Sequence, residues 1–120
     1  MARMGQARIV VSMGISDGIS TTLLEAMSLG VFPIQSDTSC ACEWVRNGRD
    51  GIVLGPHDVA GVAAALVRAA EDDEMVDAAA VRNRSVVEQR WSSSINQEIA
   101  RGYYRTLLSG TINSNPGLPA

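Results

Sequence analysis

Short continuous apolar runs alternate along this chain with stretches of helical period, and that alternation sets the expected fold class. Ile9, Val10 and Val11 form a β-branched run suited to a strand covered on both faces of a parallel sheet. After the turn-rich Ser16-Asp17-Gly18, residues 20–29 place Leu23, Leu24 and Met27 on one helical face, with hydroxyl caps at the start and Gly30 at the end. Val31 to Ile34 reads as a second strand, in which Pro33 lacks an amide donor and so marks a sheet edge, a strand start or a bulge. A short helix over residues 42–46 stops at Asn47-Gly48, and Gly51 to Leu54 is a third strand stopped by Gly55-Pro56.

The second half is helical by pattern. Asp58 is a good N-cap for AGVAAALVRAA, Asp72-Asp73 marks a break, and residues 74–89 make a polar amphipathic helix. Trp91 to Ser94 restarts a helix carrying Ile95, Ile99, Tyr103 and Leu107 at i, i+4 spacing, and residues 109–120 read as a frayed tail. The expected fold is α/β: a Rossmann-like partial parallel sheet flanked by helices, with C-terminal helices, in one domain over 1–108. Three strands are fewer than the five or six of a complete doubly wound domain. The domain is therefore expected to be incomplete at its N-terminus, with residues 1–7 ending a preceding helix.

Composition narrows the partners. A chain of 120 residues that is 46% hydrophobic can bury a core, while a net charge of −3 and only five aromatic residues argue against nucleic acid. No apolar run reaches the length of a membrane span and the N-terminus lacks a signal-peptide pattern, so a cytoplasmic location is expected. Cys40 and Cys42 are too close for an unstrained disulfide and too few for structural zinc, so neither a metal nor a cofactor is expected; the pair reads as small residues packed under a loop.

Ligands of open parallel sheets sit beyond the carboxyl ends of the strands, which selects residues 13–20, 36–41 and 55–58. In the first loop Gly14 and Gly18 flank Asp17 just before a helix N-terminus, where free amides and the helix dipole favour an anion such as a diphosphate. Glu25 lies on that helix, turned away from the apolar face.

The stretch SDGISTTLLEAMSLGVFPIQSD resembles the donor-site segment of GT-B retaining glycosyltransferases, especially family 4 (glycosyl transferases group 1). Glu43, VRNGRDGIVLGPHD, AAALVRAAEDD and the terminal RWSSSINQEIARGYY extend the resemblance over roughly residues 5–108. It implies the C-terminal half-domain of a GT-B fold and a nucleoside-diphosphate sugar as partner. By position, Asp17 and Glu25 fall on the family's two acids: the first implied to contact donor-sugar hydroxyls, the second to grip the ribose through its vicinal hydroxyls. The resemblance also implies that Gly18, Ile19, Ser20 and Thr21 present amides to sugar and diphosphate, and that Thr38 and Ser39 line the opposite wall. Three departures stand out: Asp17 replaces the usual Glu, Thr38-Ser39-Cys40 replaces a Gly-Gly turn, and no residue matches the family's diphosphate-neutralising basic pair or its acceptor-side domain.

Each residue has a plainer reading. Asp17 can be a turn-former, Glu25 a solvated helix residue, Glu43 a helix-start residue, and His57 an exposed loop histidine with no orienting partner. Trp91, Tyr103 and Tyr104 read as core anchors of the terminal helices, with a membrane-surface role as the alternative. Two functions follow. One is the donor-binding part of a glycosyltransferase of polysaccharide or glycoconjugate biosynthesis, inactive alone, with no catalytic residue in this chain, cytoplasmic or peripheral at the inner membrane face. The other is a non-catalytic module that pairs with a second copy through its exposed sheet edges, against which a monodisperse monomer in light scattering would count.

Overall fold

The computed structural model describes residues 3–16, 18–38 and 40–109; Asp17, Ser39 and residues 110–120 of the expected tail lie outside the described residues. A single 3-10 turn, Met4–Gln6, precedes β1 (Ile9–Ser12), then α1 (Thr21–Leu29), β2 (Phe32–Ser36), α2 (Ala41–Trp44), β3 (Ile52–Leu54), α3 (Val59–Glu71), α4 (Asp73–Trp91) and α5 (Ser93–Leu108). The strands form a parallel sheet in the order β1-β2-β3, with Val11 opposite Ile34 and Ile34 opposite Ile52. The fold class is as expected: α/β, a partial parallel sheet flanked by helices.

Local chemistry accounts for the boundaries. Ser20 Oγ accepts from the Leu23 amide and opens α1, and Gly30 closes it at φ +73°. Asp58 caps α3 by accepting from Gly61, and Asp72 ends α3 while capping α4 through the Met75 amide. One carboxylate thus makes the joint between the two helices.

Pro33 sits in the central strand, and the register shows why this is tolerated. Phe32 donates to the Arg8 carbonyl, so the next residue's nitrogen faces the β3 side, where pairing begins only at Ile34. The strand-start option is the one taken. The fully buried strand is β2; β1 is only half-buried and Val11 is exposed, because β1 is an edge of the described sheet and has no neighbour on its outer side. The expectation that β1 is covered on both faces is corrected accordingly.

Two apolar layers cover the sheet. Leu23, Leu24, Met27, Trp44, Val45, Val53 and Val87 pack on the α1 face; Phe32, Ile34, Ile52, Ala65, Ala69, Val76 and Ala79 pack on the α3 face. Each large side chain so buried contributes about 1.5–3 kcal/mol. Helix α4 contributes to both layers, beginning beside α3 and ending beside α1. Polar bonds hold it along its length: Arg82 Nε to Asp50 at 2.6 Å, Asn83 Nδ2 to the Asp50 carbonyl, Arg84 to the Leu29 carbonyl and Arg90 to the Glu43 carbonyl.

Helix α5 buries no residue. Tyr103 and Tyr104 are exposed rather than core anchors, because α4 already covers the α1 face and leaves the terminal helix no sheet surface to cover; Trp91, the last residue of α4, is itself exposed, although its ring meets Trp44 edge to face. Among the described residues no helix is long and apolar enough to cross a membrane.

Candidate functional site

All three strands are parallel, so Ser12, Ser36 and Leu54 end at one edge and the three loops chosen from sequence meet there. The loops are tied together. Ser36 Oγ donates to the Gly14 carbonyl at 2.7 Å, Thr38 Oγ1 donates to the same carbonyl, and the two hydroxyls lie 3.1 Å apart. The Asp37 amide donates to the Leu54 carbonyl at 2.7 Å, which fastens the second loop to the end of β3.

The N-terminus of α1 opens into this cluster. Its Leu23 amide is satisfied by Ser20 Oγ and its Leu24 amide by the Ser20 carbonyl. The amides of Thr21 and Thr22 precede any intrahelical acceptor, and no hydrogen bond of the described residues takes them up. They are donors aimed along the positive end of the helix dipole, the arrangement that holds an anion.

Gly18 and Ile19 are exposed on the approach to this helix end, whereas Ser20 is buried with its hydroxyl engaged as the cap. The Thr38 hydroxyl is held by the Gly14 carbonyl, so this side chain ties the second loop to the first. Asp17 and Ser39 lie outside the described residues. Glu25 is one turn beyond Thr21 and partly exposed; with Thr21, Leu24 and Ser28 it lines one wall of a groove of about 200 Å³, and Val87 and Trp91 line the other.

The remaining candidates fall away from the helix end. Glu43 is exposed in α2, its carbonyl accepting from Arg90, and His57 is exposed. Cys42 is exposed, not packed under the loop; its thiol lies 3.5 Å from Asp37 Oδ1, and slight burial, that hydrogen bond and the carboxylate charge all push its pKa up. No metal-binding group of His, Cys, Asp or Glu occurs among the described residues. A larger hollow of about 780 Å³ at the α3–α4 joint is lined by Ala63, Ala64, Val67 and Arg68 among others, and contains no expected site residue.

Sequence reasoning placed Ser36 in the second loop but not as its tie to Gly14, for which a serine closing a buried strand at the carboxyl edge was a usable signal.

Comparison with known proteins adds to this geometry. The family model for glycosyl transferases group 1 matches residues 2–72. A GDP-mannose:cellobiosyl-diphosphopolyprenol alpha-mannosyltransferase from Komagataeibacter xylinus is 30% identical over 105 residues, which cover 87% of this chain and 27% of that protein. Among solved structures, a sucrose-phosphate synthase from Thermosynechococcus elongatus superposes with a TM-score of 0.84 at 19% identity, over 91% of this chain and 27% of its own. HepE from Anabaena in complex with UDP gives 0.78 at 22% identity, over 86% and 29%. The chain spans less than a third of the length of each of these proteins.

Proposed function

Since the chain belongs to the glycosyl transferases group 1 family, we propose that it is the part of a retaining, family 4 glycosyltransferase that binds the nucleoside-diphosphate sugar donor. The observation that carries this reading is the placing of Glu25 one helical turn beyond Thr21 and Thr22, whose amides no described residue takes up, on the helix whose start follows the first of the three loops. The amides hold the diphosphate and oppose the negative charge that grows on it as the sugar leaves, and the carboxylate accepts from the two ribose hydroxyls. Gly18, Ile19 and the Thr38 wall then face the sugar. Two proteins that the chain resembles support the substrate class: the Komagataeibacter relative is a GDP-mannose-dependent mannosyltransferase, and HepE was solved with UDP and with UDP-glucose.

In this reading the acceptor side and the cations that neutralise the diphosphate are supplied by sequence other than these 120 residues, and the whole enzyme builds a polysaccharide or glycoconjugate in the cytoplasm, free or peripheral at the inner membrane face. The test is calorimetric titration with UDP, GDP and ADP. One nucleotide is expected to bind, and Glu25→Ala to weaken it by about tenfold or more through the lost charge-assisted hydrogen bonds. Unchanged affinity in Glu25→Ala would remove the ribose contact on which the reading stands.

A further inference from the structure

Resting on that donor-site reading, we infer that Ser36 is a positioning residue for the sugar half of the donor: through the Gly14 carbonyl it latches the loop that leads to Gly18 and Ile19, and so governs the contribution of the sugar to binding.

The two ends of this loop are held by different means. At its far end Ser20 is buried, its hydroxyl caps α1 at the Leu23 amide, and Leu23 and Leu24 sit in the core. The start of α1, with the Thr21 and Thr22 amides, is therefore fixed by packing and by its own cap. The stretch before it has no such support. Residues 14–16, 18 and 19 are all exposed, and beyond the adjoining residues no heavy atom lies within 4 Å of where a Cβ on Gly14 or Gly18 would stand. Among the described residues, the hydrogen bonds that reach residues 14–19 end on one atom, the Gly14 carbonyl oxygen, which accepts from Ser36 Oγ at 2.7 Å and from Thr38 Oγ1. A carbonyl oxygen offers two lone pairs, and both are taken.

Of the two donors Ser36 is the one presented from a fixed frame. It closes β2, the central strand of the sheet, it is fully buried, and the next amide, that of Asp37, is bonded to the Leu54 carbonyl at the end of β3. Burial also keeps Ser36 out of reach of a ligand. Whatever it does to the sugar passes through Gly14.

The two halves of a nucleoside-diphosphate sugar thus depend on separate devices. The diphosphate needs the helix start, which the core and Ser20 set. The sugar lies against Gly18 and Ile19, between that cap and the Gly14 latch, where a shift of about 1 Å is enough to spoil its contacts.

The experiment uses the intact 120-residue chain and titrates it by calorimetry with two pairs of probes, UDP with UDP-glucose and GDP with GDP-mannose. In the pair that binds, Ser36→Ala is expected to weaken the sugar nucleotide by about three- to tenfold, the worth of one hydrogen bond, and to leave the nucleotide alone within about twofold of wild type. A residue that only supports the fold would move both affinities together, and that result overturns the inference. So does a Ser36→Ala variant that binds both members of the pair like wild type; if Glu25→Ala still weakens both, the donor-site reading stands without the latch. If neither nucleotide nor sugar nucleotide binds wild type at millimolar concentration, the two readings fail together.

Discussion

At the scale of single residues, one interaction between the loop after β2 and helix α2 can be checked without any ligand. Slight burial lifts the Cys42 thiol pKa above its usual value, and Asp37, which accepts the thiol hydrogen and faces the sulfur with negative charge, lifts it further. Replacing Asp37→Asn removes the charge and lowers that pKa, so alkylation of Cys42 at about pH 8 is expected to quicken by severalfold in a Cys40→Ser background. An unchanged rate would mean that the carboxylate does not govern the thiol. Residue types legible from sequence were those whose local chemistry is self-contained: Ser20, Asp58 and Asp72 accept the amides expected of them as caps. Thr38 was legible as a loop residue but not as a donor to Gly14, because that bond joins residues 24 apart in sequence. Trp91 escapes the sequence for a similar reason: periodicity gives the face of a helix and not what the neighbouring helix leaves uncovered.

At the scale of elements, the chain passes close to itself where β3 begins, and two glycines show how differently such closeness can be resolved. A Cβ on Gly51 would lie 2.7 Å from Pro33 Cγ and 2.8 Å from both the Pro33 carbonyl oxygen and Val45 Cγ1. A Cβ on Gly30 would meet only the end of the Arg84 side chain, although its φ of +73° adds backbone strain. Backbone cannot step aside as a guanidinium can. Gly51→Ala is therefore expected to cost more than Gly30→Ala, about 3 kcal/mol or more against about 1–2 kcal/mol. Thermal denaturation of the two variants tests the ranking, at roughly 3–6 °C per kcal/mol for a chain of this size. Element identities and most boundaries were readable because runs, caps and breakers agree. The half-buried state of β1 was not, since burial of a strand depends on its place in the sheet, and place is set by pairings that a linear pattern does not record.

At the scale of the molecule, one helix gathers the others. Helix α4 touches both apolar layers and bonds to the end of α1, to α2 and to the turn before β3, where Asp50 is nearly buried and is answered by Arg82. Removing Arg82 would leave that carboxylate without its closest cation, and such losses cost roughly 1.5–3 kcal/mol. Helix α5 is the opposite case, with apolar Ile95, Ile99, Tyr103 and Leu107 all exposed and no buried residue. A helix of 16 residues that buries nothing has only its own hydrogen bonds to sustain it, and at that length those are marginal in water. Heating the isolated chain should then melt α5 first. Far-ultraviolet ellipticity is expected to decline gradually before the cooperative transition that carries tryptophan fluorescence, and amide protons of α5 to exchange far sooner than those of Ala79 or Asn83 in α4. A single coincident transition by both probes would contradict this. Helical content and foldedness are thus separate quantities in this chain, and circular dichroism alone would misreport how much of it is native.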